Sequence, residues 1–552
     1  MNRSLLFTFL LITTVVKAQT VGFFYQTAAS QDGYVMFAPL SSDNTYLIDK
    51  CGKLVHTWTS THRPGQSFYL LTDGTLLRPG NVNNAVFNAG GSGGIIERFN
   101  WSSSLLWSFT ISDDTECQHH DVCYLRNGNI LAIVWELKDT ASAISAGRNP
   151  SALGTSLWSE KIVELHPSGS SATIVWEWHV WDHLVQDFDA SKPGYGTPSA
   201  HPELIDLNYY SGSPTGTDWL HINSIDYNPA LDQVLVSCHN FSEVWVIDHS
   251  TSTAQAASHA GGTYGHGGDL LYRWGNPIAY GRGTSSDQKL FGQHNAHWIT
   301  GGLTDSGKIM IFNNGAGRPA GAYSTVDVIA PPVDASGNYS IASGSAYLPD
   351  SASWEYEADT PTNFYGMNIS SAQRLPNGNT IICVGPTGTL FEIDTNKNMA
   401  WKYVIPVNGS GAITQGTTPT QNLSFRCVLY TADYSGFAGQ TLTAGDPIEI
   451  NPLSYVCSYN TYAESIQKGT GSINVVNPFN DKLHLLGDIP TDQYQLKLIA
   501  ADGRCLQTWH ATLISGQSYD LYISGYVPDG LYVLQVAGSV ATYRVKLLCD
   551  HN

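Results

Sequence analysis

The sequence predicts an all-β protein: a six-bladed β-propeller closed by joining N- and C-terminal half-blades, followed by a small Ig-like β-sandwich. Three observations predict it. Glycine (53 residues), tryptophan (15) and tyrosine (29) are abundant while long helical periodicity is nearly absent, the composition of a chain made of strands and turns. A short aromatic strand recurs: Trp58 in "LVHTWTS", Trp107 in "LLWSFT", Trp176 in "IVWEWH", Trp274 in "LLYRWGNP", Trp354 in "SWEYEAD" and Trp401 in "AWKYVIP". The two ends of this repeating region carry incomplete units that complement each other.

Taken in order, residues 1–18 have one early basic residue, an apolar run too short to span a bilayer, and Val16-x-Ala18 before Gln19. These are the marks of a signal peptide cleaved after Ala18, so the sequence predicts an exported protein. No later segment approaches the roughly 20 apolar residues of a membrane helix. Residues 19–465 hold the repeats. Most aromatic strands follow a strand ending in an apolar–acidic pair, as in "TYLID", "GIIERF", "KIVEL", "VWVID" and "LFEID". Before those come two strands joined by a turn, as in "HDVCYLRNGNILAIVW" and "SSAQRLPNGNTIICVG". The unit is a four-stranded meander, whose faces are buried only by stacking on copies of itself. The chain enters with the outer half of a unit, "MFAPLSSDNTYLIDKCGKLVHTWT", and leaves with inner strands at "LSFRCVLYTADYSGFAG". Joining them closes the ring and removes open edges; two unrelated sandwiches would leave the matching halves unexplained. Residues 470–552 alternate on a period of two with Gly and Asp turns, as a small sandwich does.

A formal charge of −19 excludes nucleic acid or an anionic membrane as the main partner, since both need basic stripes. An anionic small substrate is compatible, because a cleft can be locally cationic. Nine cysteines spread over a long chain make no disulfide knot. Cys117 and Cys123 flank His119 and His120, a zinc-like grouping that lacks the second ligand pair a closed site needs; small apolar residues in a strand is the preferred reading.

In a propeller the first strand of each blade lines the central channel, with alternate side chains pointing in. Counting back seven residues from the turn ending each first strand gives Gln66, His120, His221, Ser370, His294 (from Gly301) and Ser424 (from Thr431). Three histidines thus fall in one ring. The second strand runs back antiparallel, which brings His239 to the same mouth, and with it Arg318 of "FNNGAGRP". Two positions along the first strand, on the same face, lie Asn223 and Arg426. Such a cluster could bind a transition metal or hold an oxyanion beside a nucleophilic histidine. The ring positions offer no carboxylate, with Asp121 expected to point away from the channel, and guanidinium groups favour an anion. Oxyanion chemistry ranks first. His56, His166, His179 and His249 fall in outer strands or loops and are read as structural.

The run from "GYVMFAPLSSDNTYLID" through "QHHDV", "DWLHINSIDYNP", "EVWVIDHSTST", "GGDLLYRWGNP", "GQHNAHWI" and "FNNGAGRP" to "YTADYSGFAG" resembles the bacterial arylsulfotransferases, which need no PAPS. The resemblance covers residues 33–440. It implies a six-bladed propeller that moves a sulfuryl group from a phenolic sulfate ester to a phenolic acceptor, by a ping-pong route through a sulfohistidine and with no diffusible cofactor. Carried across by position, His294 matches the covalent histidine, and His120 and His221 the assisting ones. His239 stands where the family has a sulfuryl-clamping arginine, leaving Arg318 and Arg426 as compensating anion binders, with Asn223 beside them. Two other readings stay open: a secreted propeller that binds a sulfated or phenolic ligand without turnover, and an aryl-sulfate hydrolase using the same site. In the last domain, the Asn-Pro-Phe near its start and Gly530-Leu531-Tyr532 resemble the C-terminal sorting domain of type IX secretion substrates of Bacteroidetes, which implies the secretion machinery as a partner. The loops "ASAISAGRNPSALGTS" and 184–217 are long enough to be lids.

Overall fold

The computed structural model describes residues 19–210, 216–453, 457, 472–475, 479, 482–500, 505–525, 527, 530–539 and 542–549. The signal-peptide reading and the Asn-Pro of the Asn-Pro-Phe motif lie outside these residues. Contacts divide the chain into two units, 1–457 and 458–552. Among the described residues no helix is long and apolar enough to cross a membrane.

The first unit is all-β, built of antiparallel four-stranded sheets consistent with a propeller. Four of them are simple meanders in chain order. They start at the inner strands Tyr69–Leu70, Glu116–Tyr124, Ile222–Asn228 and His294–Trp298 and end at the aromatic strands Leu105–Thr110, Ser171–His179, Tyr272–Trp274 and Trp354–Tyr356. The meander from Ser371–Arg374 to Met399–Val404 gains a fifth strand, Gly22–Gln26, on its outer edge. The last sheet takes its first strand, Ser424–Tyr430, from one end of the unit and three strands, Tyr34–Pro39, Asn44–Asp49 and Leu54–Thr59, from the other. This sheet therefore joins one strand to three, where the sequence had suggested halves: no second strand of this sheet follows Tyr430 among the described residues.

All six recurring aromatic strands are fourth strands, and all five apolar–acidic strands are third strands. The reason is burial. Third strands are covered on both faces by neighbouring sheets, so Glu243–Asp248 is buried throughout, as a near-continuous apolar run requires. Fourth strands such as Leu105–Thr110 and Ser171–His179 are half exposed, and a large ring such as Trp401 or Trp58, both almost fully buried, bridges to the adjacent sheet.

A first strand has no partner on its inner edge, so its N–H groups must be satisfied otherwise. Side chains of the preceding first strand do this. The N–H of Ile225 donates to Asp121, Ala296 to Ser224, Trp298 to Asp226, Ala372 to Asn295, Cys427 to Ser371 and Leu429 to Gln373. The N–H of Leu70 donates to the hydroxyl of Tyr430. A disulfide joins Cys51 to Cys457.

In the second unit, strands Ser472–Val475, Lys482–Asp488 and Gln517–Tyr522 form one sheet and Cys505–Leu513, Asp492–Ala500, Gly530–Ala537 and Thr542–Cys549 another. Alternate residues, Leu483, Leu485 and Leu521 from one and Leu496, Leu498, Leu534 and Val536 from the other, share one apolar core.

Candidate active site

Four of the six inner strands are bulged near their start. His119 to Asp121 face a single residue of the second strand, Ile133, because pairing skips from Gln118–Val134 to Val122–Ala132. The strands beginning at Ile222 and His294, and the Ser424–Tyr430 pairing, skip similarly. Near the strand starts the backbone enters the left-handed region: Gln66 (φ 97°), His120 (51°), His221 (56°), Asn295 (53°) and Ser370 (89°). Non-glycine residues seldom adopt this conformation, and clusters of them mark sites held by their surroundings.

The bulges gather the histidine rings. Ring centroids are 4.6 Å apart for His120 and His221, 5.2 Å for His221 and His239, and 5.3 Å for His239 and His294. Phe425 packs against both His120 and His294. His120 and His294 are each 2 % exposed, so a ligand reaches them past the half-buried His221 and His239. A glycine loop covers the other side: a Cβ on Gly91 would lie 1.8 Å from the His120 ring.

The partners of each ring set its chemistry. His294 Nδ1 is 2.8 Å from Asn314 Oδ1. The Asn314 amide is oriented by donating its own N–H groups to the carbonyls of Gly366 and Ile369. His294 therefore carries its proton on Nδ1 and presents a lone pair at Nε2, which accepts one hydrogen bond of 3.2 Å from the Ile369 N–H. Burial, then the charge of His239, pulls its pKa well below the ordinary value, so the ring is a neutral base at pH 7. Burial and His221 likewise pull His239 down to about 4, with Nδ1 on Asn240 Oδ1. His221 Nδ1 lies 2.5 Å from Asp218 Oδ2, the carboxylate–imidazole pairing that fixes a tautomer and supports an imidazolium when one forms.

His120 Nδ1 meets His119 Nδ1 at 2.8 Å, and His119 stacks on Trp135 at 3.8 Å. Behind it, Glu160 Oε1 is 3.6 Å from His119 Nε2. Burial, then Asp218, raises the Glu160 carboxyl well above its usual range while the Ile222 and His221 N–H groups oppose this. His119, Asp218, Asn314, Gly91 and Glu160 escaped the sequence reading as site residues. Asp218 and Asn314 sit inside "DWLHIN" and "FNNGAGRP", where a polar side chain three residues from, or cross-strand to, a ring histidine is the available signal.

Three other candidates are not in the histidine cluster. Arg426 donates to Asp121 Oδ2 at 2.8 Å and to the Tyr69 hydroxyl at 2.5 Å. Arg318 lies over the rings of Tyr323 and Phe291 and bonds Thr325. Asn223 is fully buried and donates to the Gln293 carbonyl, beside His294. Asp121 also departs from expectation: the bulge breaks the alternation that would have turned it away, and it faces the channel. With Arg426, Asp226, His297 and Tyr69 it lines a cavity of about 450 Å³ along the further half of the inner strands.

In that cavity, burial followed by the charge of Asp121 pushes the Asp226 carboxyl up to about 7. The folded state thus binds a proton there that the unfolded state has already released, so stability falls as pH rises from about 4 to about 7, by a few kcal/mol. Asp226→Asn removes the titration while keeping an acceptor for the Trp298 N–H. The expected result is a melting temperature above wild type at pH 8 and close to it at pH 5, read by calorimetry; an equal difference at both pH values contradicts the assignment.

Among the described residues, only His183, His259 and Asp269 bring three His, Cys, Asp or Glu ligand atoms within 4.8 Å of one another. Neither the channel histidines nor Cys117, Cys123, His119 and His120 converge in this way.

The comparisons place this all-β unit, with its buried histidine cluster at the start of the inner strands, in a family. The arylsulfotransferase (ASST) family model matches residues 26–433, and the chain belongs to that family, which supports aryl sulfotransferase activity and phenolic substrates in general. No curated protein matches the chain. Among solved structures, a protein of unknown function from Bacteroides caccae is 11 % identical, covering 68 % of this chain and 94 % of its own, with a TM-score of 0.37. A virginiamycin B lyase from Staphylococcus aureus is 11 % identical over 72 % and 87 %, at 0.32. Kuenenia stuttgartiensis hydrazine synthase is 13 % identical over 55 % and 68 %, at 0.31. Likenesses this distant carry no argument about function.

Proposed function

We propose that this protein is an exported aryl-sulfate sulfotransferase working by a ping-pong mechanism through a sulfated His294, at the centre of a closed six-bladed ring. The observation that carries this reading is the tautomer of His294: Nδ1–H held by Asn314 and a lone pair at Nε2 whose one hydrogen bond, from the Ile369 N–H, is 3.2 Å long. Nε2 attacks the sulfur of the donor ester; the N–S bond forms as the S–O(aryl) bond breaks, and the phenolate departs with a proton from His221 or His120. Asn314 holds the Nδ1 proton without accepting it. The adduct therefore stays an N-sulfoimidazolium, a good leaving group. In the second half the acceptor phenol gives its proton back to the same histidine, its oxygen bonds to sulfur, and the N–S bond breaks.

Negative charge on the sulfuryl oxygens meets imidazole N–H donors in a water-poor site. The arginines serve elsewhere: Arg426 is engaged by Asp121 and Tyr69, so in this reading no guanidinium clamp forms and the Nε2–H of His120 is the donor, while His239, neutral with its Nδ1–H held by Asn240, offers only a lone pair at Nε2. For His120 to donate from Nε2, its Nδ1 must accept from His119, which in turn places the protonated Glu160 carboxyl next to His119 Nε2. Export is supported by the sequence of residues 1–18 and by the Cys51–Cys457 disulfide, since disulfides persist in oxidising compartments. The second unit is the candidate sorting domain.

The test is incubation with 4-nitrophenyl sulfate, with and without phenol, followed by intact-mass and peptide mapping. One sulfuryl group on the His294 peptide, discharged by phenol, supports the reading. Nitrophenol release independent of phenol identifies a hydrolase, and no release with no adduct leaves a binding protein. Asp218→Asn is expected to lower kcat by roughly 10²-fold or more, with a larger loss for donors whose phenol is a poor leaving group. A loss equal across donors would mean that Asp218 does not act through proton transfer.

A further inference from the structure

The group His183, His259 and Asp269 lies away from the inner strands. His183 follows the aromatic strand Ser171–His179 of one sheet, while His259 and Asp269 belong to the excursion between strands Glu243–Asp248 and Tyr272–Trp274 of the next. Its hydrogen bonding does not close with neutral imidazoles around an ionised carboxylate. His183 Nε2 is 2.7 Å from the Ala256 carbonyl, which can only accept, so Nε2 carries the proton. The neutral ring then has a bare lone pair at Nδ1. That lone pair faces Asp269 Oδ1 at 2.8 Å, and His259 Nδ1 approaches the same oxygen at 2.8 Å. Acceptors this close require a positive bridge.

We propose that this bridge is a divalent transition metal, Zn²⁺ by donor chemistry, bound by Nδ1 of His183, Nδ1 of His259 and Asp269 Oδ1. Two imidazoles and a carboxylate are a zinc donor set, and its tetrahedral ligands stand roughly 3.3 Å apart, a small opening of the present spacing. The second shell is already built: a ligating histidine donates its other N–H to a carbonyl or carboxylate, as His183 does. His183 is fixed by stacking on Trp178 with planes 6° apart, and Trp178 donates to the Gly268 carbonyl. His183 is fully buried and Asp269 nearly so, whereas the His259 side chain is 62 % exposed, which leaves a fourth position open to water. The metal pins the 249–271 excursion to the neighbouring sheet, so its role is structural.

The experiment uses untagged full-length protein stripped with chelator and titrated with Zn²⁺ against a chromophoric competitor, with melting temperature followed in parallel. His259→Ala is the paired variant; the exposed ring makes its removal compatible with folding. The expected result is one Zn²⁺ per wild-type chain with a rise in melting temperature, and affinity at this site weakened roughly 100-fold or more in the variant, which also loses the thermal response. Equal Zn²⁺ binding by wild type and variant, or none by either, overturns the proposal and identifies the bridge as a proton in a buried imidazolium–carboxylate pair.

Discussion

Replacing His294 with Asn is expected to abolish sulfuryl transfer, lowering turnover by roughly 10⁴-fold or more, while the melting temperature stays within a few degrees of wild type. The argument rests on what the ring supplies that an amide cannot. The Nε2 lone pair of His294 is fixed by a partner at Nδ1 that must accept, Asn314 Oδ1, itself locked by its two amide hydrogen bonds. Low basicity keeps that lone pair free of a proton across the working pH range. An Asn side chain can still donate to Asn314, so packing survives, but its amide nitrogen is not nucleophilic. Substrate binding through His221 and His239 should persist, which a binding measurement with the sulfate ester reads directly. The variant should carry no sulfuryl adduct on the 294 peptide. Retained full activity, or an adduct on the peptide containing His120 or His221, would move the nucleophile. The pH profile of the wild type gives an independent check. A nucleophile with so depressed a pKa stays active well below pH 6, where an ordinary histidine of pKa near 6.5 would be protonated.

The sheets were legible in the sequence because their constraint is local. A strand covered on both faces must be apolar, its outer neighbour must offer a large ring, and the turn between them must hold Gly, Asn or Asp; these requirements leave the "VWVID" and "LLYRWGNP" patterns. Of the six positions counted from the turns, Gln66, His120, His221 and Ser370 share the left-handed conformation, whereas in the fourth blade it falls on Asn295, one residue past His294, and Ser424 lacks it. What the count missed follows from the bulges. Strict alternation predicts that Asp121 faces away and that Arg426 joins the histidines; bulges of two extra residues in the strand of Asp121 and one in that of Arg426 break this alternation, and the two side chains pair instead. Asn314, His119 and Glu160 were invisible for a different reason. Their roles come from contacts between strands and between sheets, which no periodicity along one strand records. The Gly22–Gln26 strand was missed because it completes nothing: it is added outside a sheet that already had its aromatic strand.

Converting Cys51 and Cys457 to Ser is expected to lower the stability of the first unit by about 2–4 kcal/mol, with a chain-entropy ceiling of about 6 for so long a loop. The bond spans 406 residues of sequence, so it removes more freedom from the unfolded chain than a local bridge would. It also acts at the seam. Cys51 sits in the turn between Asn44–Asp49 and Leu54–Thr59, in the one sheet that takes strands from both ends of the unit. Without it, the seam is held by the pairing of Tyr34–Pro39 with Ser424–Tyr430 and by the surrounding packing. Ser424–Tyr430 carries Phe425, which touches His120 and His294, and Arg426, which anchors Asp121. Opening at the seam therefore disturbs the site before the whole unit unfolds. Hydrogen exchange should accelerate first at residues 34–39 and 424–430 in the double variant or after reduction, and activity should fall at temperatures below the global transition. Uniform acceleration across all sheets, with activity and global unfolding lost together, would mean that the bond acts only by raising the free energy of the unfolded chain and that the seam is no weaker than the other sheets.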